Sequence, residues 1–83
     1  MSLVPLYGFV AGDTLGVLVL VRDDETVAVL ASRLAQAAAV RVAPIADAVV
    51  VARGKALDPR VTVAAAGLTA LDRVDLVAEG AVP

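Results

Sequence analysis

The chain has 83 residues, 60% of them hydrophobic, and a net charge of −2 at neutral pH. This length allows one domain, and the lack of cysteine and histidine excludes disulfides, thiol chemistry, and both the commonest metal ligand and the commonest general base. The seven basic residues are scattered and do not form a stripe, so we expect no nucleic-acid partner.

The N-terminal part of the chain predicts a β-hairpin. Residues Leu3 to Val10 form an apolar run, residues 11–14 supply turn chemistry, and Leu15 to Val21 form a second run rich in β-branched residues. The register of the second strand stays open, because valines alternate there with the equally apolar Leu18 and Leu20. We therefore expect this strand to be covered on both faces.

A helix is predicted to follow the hairpin. Thr26 is a good N-cap residue, and the acidic residues 23–25 place negative charge at the positive end of the helix dipole. Leu30 and Leu34 have the spacing of one helical face. The helix must end before Pro44, because a residue that precedes proline is disfavoured in helical conformation.

The remaining residues predict two further strands and a turn. Ala48 to Ala52 is a short apolar strand, and Asp58-Pro59 is a turn signal. Thr62 can cap a single helical turn that Gly67 ends in a left-handed conformation. Arg73 to Val77 is the last strand.

The order strand, strand, helix, strand, turn, strand is that of the β-grasp, or ubiquitin-like, fold. We predict an α+β domain over residues 1–83, with one main helix across a mixed sheet of four to five strands. The first and last strands should be central and parallel, and residues 1–2 and 80–83 should be flexible. The expected core residues are Val27, Leu30, Leu34, Val50, Leu57, Leu68, Val74 and Leu76.

No group of residues predicts catalysis. The carboxylates at 23–25 are accounted for by the helix start, Asp75 should point to solvent, and no phosphate-binding loop is present. Residues 79–83 lack the Gly-Gly ending through which ubiquitin-like modifiers react. We therefore expect no catalytic, cofactor-binding or metal-binding residue in this chain.

The high apolar content instead indicates a docking face. Alternation in the last strands directs one set of side chains away from the helix, and an apolar centre with a charged rim is typical of an interface. The residues expected to contact a partner are Val49, Val51, Val77, Arg53, Arg73, Leu18 and Leu20.

The chain also resembles a known family, the toluene-4-monooxygenase system protein B family. The resemblance rests on Pro5 and its apolar neighbours, Asp13-Thr14-Leu15, the run from Leu18 to Val21, Arg41-Val42-Ala43-Pro44, and residues 58–68. It covers nearly the whole chain. The chain departs from the family in its alanine-rich helix and at residues 49–51, where the family is more basic.

The resemblance implies a non-catalytic γ subunit of a multicomponent aromatic or alkene monooxygenase hydroxylase. Such a subunit would dock on a large subunit that holds a di-iron centre, and would itself bind no cofactor. The large and medium hydroxylase subunits would be its partners, in a dimer of αβγ trimers. The alternative is a ubiquitin-like adaptor of a bacterial secretion apparatus, which gene neighbours would distinguish. In either setting we expect a cytoplasmic chain that spans no membrane.

Overall fold

Five strands and one main helix build the protein in a computed structural model that describes residues 2–81. In chain order they are β1 (Leu3–Val10), β2 (Gly16–Arg22), α1 (Val27–Ala38), β3 (Ala48–Ala52), β4 (Lys55–Ala56) and β5 (Arg73–Ala78). A short 3₁₀ turn at Glu79–Ala81 follows. The flexibility expected at the chain ends stays a prediction, and residues 1, 82 and 83 lie outside the described part.

The strands form a single mixed sheet in the order β2-β1-β5-β3-β4. β1 and β5 are central and parallel, as predicted, and the other pairs are antiparallel. α1 lies across one face of this sheet and contacts β1, β2, β3 and β5. The β-grasp prediction is therefore confirmed, with five strands. Within the described residues, no helix is long and apolar enough to cross a membrane.

The hairpin differs from the prediction by one residue. β2 begins at Gly16, because the Asp13 carboxylate accepts a hydrogen bond from the Leu15 N–H (3.1 Å) and holds that residue in the turn. Alternation then directs Val17, Val19 and Val21 toward the helix, which leaves Leu18 and Leu20 on the opposite face. Those two leucines are 57% and 54% exposed, so in the chain alone β2 is covered on one face only.

Thr26 caps α1 as predicted, since its Oγ1 accepts a hydrogen bond from the Val29 N–H (3.3 Å). The neighbouring acidic residues take other partners: the Asp23 carboxylate accepts from the Ser2 N–H and the Glu25 carboxylate from the Arg22 N–H. The helix ends at Ala38, well before Pro44. Side-chain capping at the start of α1 therefore comes from Thr26.

The core lies between α1 and the sheet. Of the eight predicted core residues, seven are buried, whereas Leu57 is only partly buried because it follows the edge strand β4. Thr62 and Gly67 behave as predicted: the Thr62 Oγ1 accepts from the Ala65 N–H, and Gly67 has a φ of 78°. The core also includes buried residues outside the predicted list of eight, among them Leu6, Val21, Ala38 and Val63.

At Gly8, α1 packs closely against the sheet. Gly8 lies on the inward face of β1, and a Cβ built there would collide with the Cδ2 methyl group of Leu34. The Leu34 side chain therefore occupies the space that any larger residue at position 8 would need. This contact fixes how closely α1 can lie against β1.

Candidate docking surface

The face of the sheet opposite α1 is called the open face below. Every second side chain along a strand points to this face. Odd-numbered residues of β1, β3 and β5 point to this face, and even-numbered residues of β2 do the same, as their burial alternates. It is formed mainly by Leu3, Pro5, Tyr7, Phe9, Leu18, Leu20, Arg22, Val49, Val51, Arg73, Asp75 and Val77.

Six of the seven predicted contact residues lie on this face, and the seventh, Arg53, lies at its rim in the turn after β3. Val49 is directly opposite Val77 across the β3–β5 pair, and Val51 is opposite Asp75. These three valines, called the valine cluster below, are partly buried by their neighbours. The structure thus brings the predicted residues to one face; their role as an interface stays a prediction.

A second apolar group, the leucine–tyrosine cluster, lies on β1 and β2. It consists of Leu3, Tyr7, Leu18 and Leu20, which are 48–64% exposed. Tyr7 is directly opposite Leu18. The two leucines are among the residues predicted to contact a partner, whereas Leu3 and Tyr7 are not. The spacing of Leu3, Pro5, Tyr7 and Phe9 at every second position could have identified them. This cluster exposes more apolar surface than the valine cluster.

A charged band separates the two clusters. The Arg73 guanidinium lies over the ring of Phe9, 4.2 Å from its centroid, and its Nε donates to Asp75 Oδ1 at 3.0 Å. This arrangement differs from the expected apolar centre with a charged rim, because β5 is a central strand. The hydrogen bond to Asp75 raises the pKa of Arg73, whose guanidinium is a cation placed beside an aromatic ring.

Arg53 completes the charged part of the surface at the rim. Its Nη2 donates to Asp72 Oδ2 at 2.9 Å, and the pKa of Asp72 is lowered first by the hydrogen bond from the Thr69 N–H and then by the charge of Arg53. A shallow depression of about 440 Å³ lies between Val51, Arg53 and Arg73. Its charged side chains are already paired with one another, so it presents little free hydrogen-bonding capacity to a ligand.

The described residues contain no cluster of three or more acidic side chains that could hold a metal ion. Their carboxylates mostly serve the fold. Asp13 binds Arg41, Glu25 binds Arg33, and Asp58 binds Arg60. On the helix side, a cavity of about 260 Å³ between α1 and the segment from Val42 to Ala48 is lined almost entirely by apolar residues. Among the described residues, neither this cavity nor the depression on the open face combines a nucleophile with a base.

Comparisons with known proteins give matches in both sequence and structure. A family model for "Toluene-4-monooxygenase system protein B (TmoB)" matches residues 3–77. A chain from a structure described as a toluene 4-monooxygenase HD complex with the inhibitor 4-bromobenzoate is 26% identical, with a TM-score of 0.86. That alignment covers 94% of this chain and 100% of the other.

Two other solved structures are similar at lower sequence identity and bear on the fold alone. One, described by its mimicry of SUMO in DNA repair, is 22% identical with a TM-score of 0.76, over 93% of this chain and 92% of that chain. The ubiquitin of Caldiarchaeum subterraneum is 18% identical with a TM-score of 0.74, over 94% and 95% of the two chains. A search of curated proteins gives no significant match.

Proposed function

The chain belongs to the toluene-4-monooxygenase system protein B family, and we propose that it is a small, non-catalytic subunit of a multicomponent aromatic or alkene monooxygenase hydroxylase. The observation that carries the proposal is the similarity in both sequence and structure to a complete chain of a toluene 4-monooxygenase complex. In that role the chain would contribute a docking surface, and the chemistry would take place in a partner.

The open face is the surface that we assign to docking on the large hydroxylase subunit. Its leucine–tyrosine cluster leaves about half of each side chain exposed, which is costly for a chain that works alone. Complete burial of a leucine side chain contributes roughly 1.5–3 kcal/mol before the costs of association. The central Arg73–Asp75 pair would then determine the orientation of the partner more than it would increase the binding affinity.

The composition of the chain supports a non-catalytic role. A di-iron centre of the carboxylate type takes glutamate and histidine ligands from several helices, whereas this chain has no histidine and one main helix. Its residues therefore do not fit such a site. We assign the di-iron centre to the large subunit and no cofactor to this chain.

We propose the remaining features of the assembly by analogy with the family. The large and medium hydroxylase subunits would be the partners, in a cytoplasmic dimer of αβγ trimers. Neither nucleic acid nor membrane would take part. The alternative of a secretion adaptor shares the ubiquitin-like fold but receives no support from the family match.

Co-expression with a tagged large subunit and the medium subunit encoded beside it tests the proposal. We expect this chain to co-purify in equimolar amount with the large subunit, and iron to be found in the complex but not in the separately purified small chain. A hydroxylase that purifies intact without this chain would contradict the assignment. Genes for a secretion ATPase beside this one, in place of hydroxylase genes, would favour the adaptor.

A further inference from the structure

β2 is an outer strand of the sheet, and its pairing with β1 determines which backbone groups it leaves exposed. The Asp23 N–H donates to the Ser2 carbonyl (2.9 Å), and in an antiparallel ladder every second pair of residues exchanges such bonds. When every second residue is counted back from Asp23, the backbone groups that form hydrogen bonds with β1 are those of Val21, Val19 and Val17. The backbone groups that point to the open edge belong to Gly16, Leu18, Leu20 and Arg22.

The other side of β1 gives an independent check of this pattern. The Tyr7 N–H donates to the Asp72 carbonyl, and the Pro5 carbonyl accepts from the Leu71 N–H. Odd-numbered residues of β1 therefore direct their backbone toward β5, which leaves the even-numbered ones to bond β2. Leu18 is opposite Tyr7 and Leu20 is opposite Pro5, so the backbones of both leucines point away from β1.

Such an edge favours strand addition. It is seven residues long, contains no proline, and carries the exposed side chains of Leu18 and Leu20. A second copy of the same chain is the simplest strand to add, because two identical edges can pair antiparallel about a two-fold axis. Pairing of this kind needs the N–H and C=O groups of alternate residues to be available.

Two of those groups are already occupied by one ion pair. Glu25 Oε1 accepts the Arg22 N–H at 2.8 Å, while its two carboxylate oxygens bind Arg33 Nη1 and Nη2, each at 2.8 Å. The same Nη1 donates to the Leu20 carbonyl at 3.0 Å. Charge-assisted bonds of this geometry are among the stronger ones in proteins.

We propose that the Glu25–Arg33 pair is a built-in guard that blocks strand addition at the β2 edge and keeps the chain from pairing with a second copy. The guard covers the Leu20 carbonyl and the Arg22 N–H, and the Arg22 carbonyl already accepts the Glu25 backbone N–H. Judged from the bonds among residues 2–81, only Gly16 and Leu18 retain both groups for an incoming strand. Two residues form too short a ladder to hold two chains together. This inference is independent of the proposed function, since it concerns the isolated chain.

Removal of the guard is the direct test. In Glu25→Ala/Arg33→Ala we expect sedimentation velocity to show a dimer, with an apparent dissociation constant at least about tenfold below that of the wild type. Hydrogen exchange at the Leu18 and Leu20 amides should slow as the dimer forms. The control is Asp58→Ala/Arg60→Ala, which also removes one acidic and one basic side chain, from a more exposed ion pair outside β2, and should leave association unchanged.

A further variant identifies the edge itself. Because the Leu18 N–H points away from β1, Leu18→Pro removes an edge donor without removing a bond within the sheet. Added to the guard-free double variant, it should restore the monomer. If circular dichroism shows the double variant to be unfolded, Arg33→Met, which keeps the stem and frees the Leu20 carbonyl, takes its place.

The proposal is overturned by either of two results. The first is a folded guard-free variant that stays monomeric at millimolar concentration. The second is a dimer in which hydrogen exchange at the Leu18 and Leu20 amides is unchanged. This applies to a dimer of the guard-free variant and also to one that the wild type and the control form equally.

Discussion

The guanidinium of Arg41 binds both carboxylate oxygens of Asp13, with donor–acceptor distances between 2.7 and 3.0 Å. The Asp13 side chain is only 2% exposed. This ion pair ties the turn between β1 and β2 to the segment after α1. Both residues belong to the motifs that carry the family resemblance, so the structure gives these motifs a physical role: they fix the hairpin to the end of the helix.

The first prediction concerns this ion pair. Asp13→Asn keeps an acceptor for the Leu15 N–H but removes the charge that binds Arg41. We expect it to lower the free energy of unfolding by more than Asp58→Asn does, because the Asp58–Arg60 pair is far more exposed. Urea unfolding of both variants measures the difference. Equal losses would show that the Asp13–Arg41 pair contributes no more than an ordinary surface pair.

The second prediction is a pH dependence. The Arg41 hydrogen bond lowers the pKa of Asp13, and the Arg22 N–H, followed by Arg33, lowers the pKa of Glu25. Each carboxylate thus contributes stability above its unfolded-state pKa, and the contribution is lost as the pH falls through the lowered folded-state pKa. We expect stability to be constant down to about pH 5 and to fall below about pH 4.

Asp13→Asn serves as the control for this loss of stability at low pH. The variant should show a shallower loss of stability at low pH than the wild type, because one of the shifted carboxylates is absent. Thermal melts across the acid range measure both slopes. A wild-type curve that rises toward low pH, or identical slopes in the two proteins, would contradict the assignment.

The third prediction concerns the contact between Gly8 and Leu34. Gly8→Ala should destabilise the protein by about 1–3 kcal/mol, because the added methyl group overpacks the interface between β1 and α1. Leu34→Ala opens a cavity but also makes room for that methyl group. In a double-mutant cycle, we therefore expect the two losses to be less than additive. Strict additivity would indicate that the two side chains do not compete for space.

The fourth prediction compares two core leucines that sequence analysis treated alike. Leu76→Ala should cost about 2–5 kcal/mol, because Leu76 is fully buried on β5. Leu57→Ala should cost clearly less, since Leu57 is only partly buried beside β4. Chemical unfolding measures both. If Leu57→Ala lowers the free energy of unfolding as much as Leu76→Ala does, Leu57 belongs to the main core.

Sequence analysis predicted the order of the elements and the helix–sheet core because alternation and helical spacing report which side chains are buried. It could not assign the register of β2, since valine and leucine are equally apolar and only pairing with β1 directs Leu18 and Leu20 outward. The Glu25–Arg33 guard could not be predicted either. Its two residues are eight positions apart, and the backbone that they bind belongs to the neighbouring strand.

Docking through the open face is the central claim, and one charged side chain placed in each apolar cluster tests it. Leu18→Lys and Val49→Lys point away from the core and should leave the fold intact. They are preferable to Val51→Asp, because Val51 is directly opposite Asp75 and a second carboxylate there would repel it within the sheet. Val40→Lys is the matched control, since Val40 is 88% exposed and follows α1.

The most direct measurement is the amount of each variant retained on a tagged large hydroxylase subunit after co-expression, with circular dichroism to verify folding. We expect Leu18→Lys and Val49→Lys to lower retention at least about tenfold, which corresponds to about 1.4 kcal/mol or more of lost binding free energy. Val40→Lys should be retained like the wild type. Full retention of both folded open-face variants would contradict docking through this face.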